Sequence, residues 1–379
     1  MSDTIEQLRA EDFEEAMAHL SVAFGQPDFA GMLPALYKPT DEHMGRNYAV
    51  RRGGRIAAIV GLFPIDWVIG GERLRLAGIG GVSVHPDHRG QGLMRLLMDE
   101  VMREVERGGY QAACLGGNRR RYAYWGFEKA GVEASFVVTP NSVEHANGGR
   151  WPERTVPPDE AKGGDLAAMR ALYEAQPIRC DRDAERFADH LRHWRRAPLV
   201  VRNDRGAVAA YGCVDPRDDS CVELCARDER SAGEFVARYV MSSGRPMRIA
   251  APLLRTPVVR SIEGLTDDAS VIEASNWRFY DWPAVVGALL RVKHAASPLV
   301  NGSVVVCIEG AAGMPGRFRM TVDGGAGCGW TDDEPGVSGC AASLTRMLMG
   351  PLGMGLPTGE TPLAGWRPLP LMIPMQDRI

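Results

Sequence analysis

A chain of 379 residues is too long for one ordinary domain, and 45% hydrophobic against 24% charged residues is ample core for two or three. The formal net charge of −4 argues against a general nucleic-acid or membrane-surface binder, whose footprint is basic. No apolar run nears the roughly 20 residues of a membrane helix, and the polar, acidic start Met1-Ser2-Asp3-Thr4-Ile5-Glu6 has no leader pattern, so a cytoplasmic protein is expected.

The first region runs to about Pro140. Phe13, Met17, Leu20 and Phe24 fall at helical spacing, with Asp12 and Glu15 as a capping box. Extended pieces follow at Tyr48–Arg52, Ile56–Ile69 and Leu74–Val84, divided by Gly53-Gly54 and Gly70-Gly71 turns. A helix from about Gly92 to Arg107 and a buried strand Gln111–Leu115 come next, and Gly116-Gly117 ends that strand. Asn141–Lys162 reads as a polar connection rich in Pro and Gly.

The second region, 163–293, repeats this grammar. Helix is expected at Asp165–Ala175, around Arg182–Arg196 and around Ser231–Met241, with strands at Leu199–Val201, Val208–Val214 and Met247–Ala251. Where the first region has a glycine turn, this one has Cys225-Ala226-Arg227-Asp228-Glu229-Arg230, a poor cradle for phosphate. The third region, 294–379, offers strands at Ser303–Ile308, Arg317–Val322 and Gly327–Thr331, a short helix at Ala341–Met349, and a Pro-rich end. The expected class is therefore α/β or α+β, with mixed central sheets and a small α+β unit last. The eight cysteines are scattered. The closest pair, Cys221 and Cys225, lacks a second pair or nearby histidines, so reduced thiols and no metal are expected.

The informative stretch is Val82-Ser83-Val84-His85-Pro86-Asp87-His88-Arg89-Gly90-Gln91-Gly92-Leu93-Met94-Arg95. A strand leaves at Val84, and Pro86 stops it because it cannot donate to a ladder. Arg89–Gly92 form a turn, and a helix with apolar face Met94, Leu97, Met98, Val101, Met102 and Val105 begins there. The glycines let backbone approach a bulky anion, the first helical N–H groups point at it, and Arg89 and Arg95 add charge-assisted bonds.

This string resembles motif A of the GNAT superfamily, the acetyl-CoA N-acetyltransferases, whose general pattern has Gln or Arg where this chain has Asp87. The Pro86-x-His88-Arg89 opening is closer to the Eis-like (enhanced intracellular survival) branch. Along the chain the resemblance implies a catalytic GNAT domain (1–140), a second GNAT-like domain without coenzyme (163–293) and a sterol-carrier-protein-like domain (294–379). The Asn276–Asp281 stretch resembles that branch's lead into its last domain. The resemblance also implies acetyl-CoA as cosubstrate, a homo-oligomer, commonly a hexamer, and Val84 N–H facing the thioester carbonyl, unless it is only a ladder donor.

Tyr122-Ala123-Tyr124-Trp125-Gly126-Phe127 resembles the superfamily's Tyr-x-x-x-Gly-Phe, which would set Tyr122 beside the coenzyme sulfur as the acid. Read as an extended piece, Tyr122 and Tyr124 share a face, so spacing does not separate them. Gly117 and Asn118 match the place where the family's coenzyme passes between splayed strands. Arg119-Arg120-Arg121 could reach phosphates or form a solvated face, the latter favoured for at least two. In the Eis-like branch the C-terminal carboxylate helps deprotonate the amine; here that is Ile379, after Pro374 in place of the family's Pro-x-x-x-x-Phe ending. The competing reading is a frayed terminus.

The leading functional reading is an N-acetyltransferase acting on a primary amine, either a small molecule such as an aminoglycoside or polyamine, or a lysine side chain. Asp28 or Glu42 would attract a polycation, or simply be solvated surface. The alternatives are a non-catalytic acyl-CoA sensor or lipid carrier, and a tRNA-dependent aminoacyl transferase. The absence of a basic arm weighs against the last.

Overall fold

The structure, a computed structural model, describes residues 4–146, 156–310, 316–351 and 361–379; part of the expected connection, residues 147–155, lies outside these. The first region opens with β1 (Ile5–Gln7), α1 (Phe13–Phe24) and two single helical turns, α2 (Phe29–Met32) and α3 (Asp41–Met44). Strands β2 (Asn47–Arg52), β3 (Arg55–Ile69) and β4 (Glu72–Val84) then form an antiparallel meander. Helix α4 (Leu93–Arg107) crosses to β5 (Ala112–Leu115), parallel to β4. Short α5 (Arg119–Tyr122) leads into β6 (Glu128–Val138), and α6 (Pro140–Ala146) follows where a connection was expected. The expected capping box on α1 does not form. The Asp12 side chain accepts from Arg9 N–H at 2.8 Å in the turn before α1 rather than capping α1 itself, and Arg51 on β2 draws both Asp12 and Glu15 into ion pairs.

The second region runs through β7 (Asp159–Glu160), α7 (Leu166–Glu174), β8 (Ile178–Cys180), α8 (Phe187–Leu191), β9 (Ala197–Arg202), β10 (Val208–Asp215), β11 (Ser220–Ala226), α9 (Glu229–Ser243), β12 (Met247–Pro252), α10 (Pro257–Glu263) and β13 (Asp268–Phe279). The helix expected over Arg182–Arg196 is broken: α8 stops at Leu191, and Trp194 and Arg195 both adopt φ near +61°. The β11–α9–β12 unit is a parallel crossover like β4–α4–β5.

The two regions do not keep separate sheets. One 13-stranded sheet contains the order β4-β5-β13-β6-β12-β11. The last strand of each region is exchanged: β13 pairs with β5, and β6 pairs with β12, with β13 and β6 adjacent. Asn276, Trp277, Arg278 and Phe279 thus lie opposite Leu115, Cys114, Ala113 and Ala112.

Helix α11 (Trp282–Ala296) spans the expected boundary at 293/294. It buries residues all round, from Trp282 through Val292, because it lies between two sheets. On one side are Trp67, Leu76 and Trp277 of the large sheet; on the other are Val304, Phe318 and Met320, in one continuous core. The latter belong to a second sheet of β14 (Gly302–Glu309), β15 (Arg317–Val322), β16 (Ala326–Trp330) and β17 (Val337–Cys340), ordered β16-β15-β14-β17. Helices α12 (Ala341–Met349) and α13 (Thr361–Trp366) precede an extended tail, which returns to the large sheet where Val132 N–H donates to the Leu371 carbonyl at 2.9 Å.

Candidate active site

β4 and β5 pair only from Leu76↔Ala112 to Ile79↔Leu115 and then diverge, opening a cleft. β4 carries a bulge at the mouth. Ile59 lies opposite Ser83 and Gly61 opposite Gly80, so Gly81 and Val82 face the single residue Val60. Gly81 takes φ +60°, and a Cβ there would lie 2.8 Å from the Tyr37 hydroxyl, so both conformation and space require glycine. Beyond the bulge, His85 N–H donates to the Ala57 carbonyl at 2.8 Å. Hydrogen-bonded pairs alternate along an antiparallel ladder, so the preceding Val84 N–H points away from β3 and into the cleft.

The glycine turn closes this end. Pro86–His88 form one turn of 3-10 helix, and Gly90 and Gly92 both take φ +78° before α4 starts. A Cβ on either glycine would meet nothing within 4 Å, so the space over the turn is open. A cavity of about 590 Å³ lies there, lined by Val82, Ser83, Val84, Arg89, Gly90, Gln91, Gly92, Leu93, Met94 and Arg121. No acidic residue stands in the first turn of α4, leaving its N–H groups as donors for an anion. The residues present therefore fit a pyrophosphate. Arg95 is placed elsewhere: its guanidinium stacks 4.3 Å over the Tyr124 ring, and Arg121 takes the cavity wall.

The tyrosine pair is resolved by helix rather than strand. Residues Arg119–Tyr122 are α-helical and Ala123–Trp125 continue as 3-10, so Tyr122 and Tyr124 do not share a face. Tyr122 is 5% exposed and Tyr124 is 60% exposed. Burial pushes the Tyr122 hydroxyl above its ordinary pKa, only partly opposed by Arg121, so it holds its proton at neutral pH. Asn118 caps α5 by accepting from Arg120 N–H at 2.9 Å, and Gly117 takes φ +103° against the Tyr122 ring. Arg119 pairs with buried Glu128, which Arg346 also contacts, so Arg119 is neither a phosphate ligand nor plain solvated surface. Asn276, on exchanged strand β13, donates to the carbonyls of Leu115 (3.3 Å) and Gly117 (3.1 Å), holding the diverging end of β5.

The chain end enters the cleft. A Cβ on Gly78 or Gly80 would collide with the Ile379 side chain at 2.1 and 1.9 Å, and one on Gly116 would stand 4.0 Å from the Ile379 carbonyl oxygen. Ile379, Tyr122, Gly80, Val82, Gly117 and Asn118 line one cavity of about 510 Å³, which meets the cavity over the glycine turn along Phe24, Val82 and Arg121.

What holds the tail belongs mainly to the second region, joined by Glu133 of β6. Buried Arg182 donates to Asp377 from Nε and Nη2, both at 2.8 Å, and to Glu223 from Nη1 at 3.0 Å. Tyr173 donates to Asp377 at 3.0 Å and Tyr211 to Glu223 at 2.8 Å. Arg182 lies 3.8 Å over the Tyr173 ring. His193 Nδ1 bonds the Gln376 carbonyl at 2.7 Å, while the Gln376 amide donates to the His190 and Leu191 carbonyls. Arg378 pairs with buried Glu133 at 2.7 Å. Burial holds His193 down to about 4 and His190 to about 3, so both are neutral.

Asp28 and Glu42 are spoken for. Asp28 caps α2 through Gly31 N–H, and Glu42 pairs with Arg46 and Arg186. In the second region, Asp228 accepts from Ser231 N–H at 2.8 Å and plugs the N-terminus of α9 with a carboxylate. Sequence reading missed Asn276, Arg182, Glu223 and His19, the last buried and 3.1 Å from Ser83 Oγ. None of these four has a local signal, because each meets its partner only across the fold.

Residues 4–130 match the GNAT acetyltransferase domain family. An uncharacterized N-acetyltransferase of Escherichia coli, YhbS, is 30% identical over 105 residues, 25% of this chain and 62% of that protein. The chain thus spans about three-fifths of the length of the curated relatives it matches. Among solved structures, a GCN5-related N-acetyltransferase from Kribbella flavida aligns over 100% of this chain and 98% of its own, at 19% identity and TM-score 0.67. Eis1 from Mycobacterium abscessus aligns over 99% and 100%, at 16% identity and TM-score 0.62. These likenesses show the fold: residues 4–130 resemble a GNAT acetyltransferase domain, and the whole chain shares the architecture of both solved structures.

Proposed function

From the premise that residues 4–130 carry a GNAT acetyltransferase domain, we propose that the chain transfers acetyl from acetyl-CoA to a primary amine. The observation carrying this reading is that the terminal residue, the buried Tyr122 and the splayed ends of β4 and β5 line one cavity, which shares the wall residues Phe24, Val82 and Arg121 with the cavity over the glycine turn.

Acetyl-CoA would supply the acetyl group as an activated thioester. Gly90, Gly92 and the first N–H groups of α4 hold its pyrophosphate, with Arg89 and Arg121 adding charge. Val84 N–H is aimed at the thioester carbonyl oxygen, where negative charge develops. Tyr122 gives its proton to the departing sulfur. The carboxylate of Ile379 accepts a hydrogen bond from the incoming ammonium, or from a water that carries the proton away. The second region binds no coenzyme, because a carboxylate occupies its helix N-terminus.

The resemblance to the Eis-like branch further proposes a homo-oligomer, which light scattering tests. The experiment for the activity is CoA release with a panel of amines, repeated after adding a few Gly and Ser residues beyond Ile379. Turnover should fall while CoA still binds. An unchanged acetylation rate in the extended protein would remove the carboxylate from the mechanism.

A further inference from the structure

The cavity holding Ile379 has an unusual lining for an enzyme that would take a polycation. It contains no Asp or Glu side chain among the described residues; the terminal carboxylate is its one acidic group. Three guanidinium groups, Arg121, Arg195 and Arg217, line it instead. Arg121 also lines the cavity over the glycine turn and is at the disposal of the coenzyme phosphates. That leaves Arg195 and Arg217 on the acceptor side.

The rest of the wall is apolar. Phe24 is 46% exposed and stacks on Phe29 at 5.3 Å, and Met32, Leu33 and half-buried Trp194 continue the surface toward Ile379. An exposed phenylalanine on a cavity wall is apolar area left for a ligand to cover.

The arginines are held in place rather than swinging in solvent. Arg195 donates to the Pro27 carbonyl at 2.7 Å, and Arg217 is gripped by Asp215 through Nε at 2.9 Å and Nη2 at 2.6 Å. Each guanidinium has five N–H donors, so these bonds leave others for a ligand. The backbone presenting Arg195 is strained: Trp194 and Arg195 are consecutive non-glycine residues at φ +61°. Such conformations concentrate at functional sites. Here the strain turns an indole and a guanidinium together toward the chain end.

We propose that the acceptor is a monoamine with an apolar, preferably aromatic, body that carries an anionic group such as a carboxylate at the end away from the amine. This rests on the acetyltransferase reading and narrows it. The amine meets the Ile379 carboxylate, the body lies on Phe24 and Trp194, and the anion meets Arg195 and Arg217. A polyamine or aminoglycoside would bring several positive charges against these guanidiniums; Asp215, the carboxylate that grips Arg217, is already engaged and does not line the cavity.

The test uses the whole protein, saturating acetyl-CoA and three acceptors: 4-(aminomethyl)benzoate, benzylamine and spermidine. The first two differ only in the carboxylate. One charge-assisted bond at a partly exposed site corresponds to roughly tenfold, so kcat/KM should fall about tenfold or more from the first acceptor to the second. Spermidine should be poorer still. In Arg195→Gln, Arg217→Gln and the double variant, the ratio between the first two acceptors should collapse toward one. A ratio within one variant does not depend on the fraction of active protein, so partial misfolding does not distort it. A preference for benzylamine or spermidine, or a preference for the carboxylate that survives in the double variant, would overturn the proposal. Failure of the underlying reading looks different: CoA binds but no acceptor of any charge is acetylated, and the proposal then falls with it.

Discussion

The tail clamp makes a prediction whose size follows from its burial. Arg182, Glu223 and Asp377 have side chains only 1%, 5% and 3% exposed, one cation between two carboxylates. Replacing Arg182 with Met keeps the volume and leaves two carboxylates buried without a countercharge. Breaking a buried pair in this way costs roughly 3–5 kcal/mol. The chain has a cheaper escape than global unfolding: releasing Met375–Ile379 returns Asp377 to water. A bias of about 3 kcal/mol lowers the ratio of docked to released tail roughly a hundredfold. Released tail takes the Ile379 carboxylate from the cleft but leaves intact the glycine turn, whose cavity no tail residue lines.

The expected outcome for Arg182→Met is therefore a fall in kcat of at least about tenfold, with the Kd for CoA changed less than about twofold by calorimetry. Asp377→Asn is the milder companion. It keeps the hydrogen-bonding shape, and Glu223 still answers Arg182. It should lose less stability and still lower kcat. Initial rates of CoA release measure kcat, and melting temperature checks that each protein is folded. If both variants are folded and turn over within about twofold of the parent, the second region does not position the chain end.

Three further outcomes follow from the site. Gly92→Glu puts a carboxylate about 4 Å from the pyrophosphate, a repulsion of about 4 kcal/mol at an effective dielectric near 20. Its CoA affinity should drop at least a hundredfold by calorimetry. Tyr122→Phe should cut kcat by roughly 10²–10⁴, the usual contribution of acid–base catalysis, whereas Tyr124→Phe, exposed beneath Arg95, should change it little. His190 and His193 have folded pKa values lowered to about 3 and about 4, so the unfolded or released state binds more protons below its ordinary 6.5. Their stabilisation is full above pH 6.5 and is lost as pH falls toward 4. Denaturant midpoints should decline over that window, and the decline should shrink in His193→Gln.

How much of this was legible in the sequence depends on how local each signal is. The glycine turn and α4 were readable because Gly90, Gly92 and the Leu97–Met98–Val101 face act within one helix. An extended piece would put Tyr122 and Tyr124 on one face, but the chain coils there. Asn118, a helix-capping residue after Gly117, was the sign that it coils. Helix α11 escaped because it is apolar all round and has no periodic contrast to find. The partners of Arg182 include Asp377, 195 positions away, and nothing local marks either residue as half of a buried pair. The strand exchange escaped for the same reason, since β13 looks like any strand until its neighbours are known.

That exchange bears on whether the first region is a separable unit. A fragment of residues 1–146 would contain the glycine turn, Tyr122 and every strand of the first region. It would lack β13, which pairs with both β5 and β6 and is the only strand between them. It would also lack Trp277, fully buried and stacked 5.5 Å from Trp67, and Phe279 beside it. Removing one large buried aromatic side chain costs about 3–5 kcal/mol, and a domain's whole stability is about 5–15 kcal/mol. Two such losses, with an unpaired edge on β5 and with β6 left without either neighbour, β13 or β12, consume most of that margin. The carbonyls of Leu115 and Gly117 would also lose Asn276, so the cleft end of β5 would have no anchor. The fragment should show no cooperative thermal transition and no measurable CoA binding. The full chain should show both. A fragment that melts cooperatively and binds CoA as tightly as the full chain would mean that β5 and β6 can close on each other, and that the exchange is a convenience of packing rather than a condition for the site.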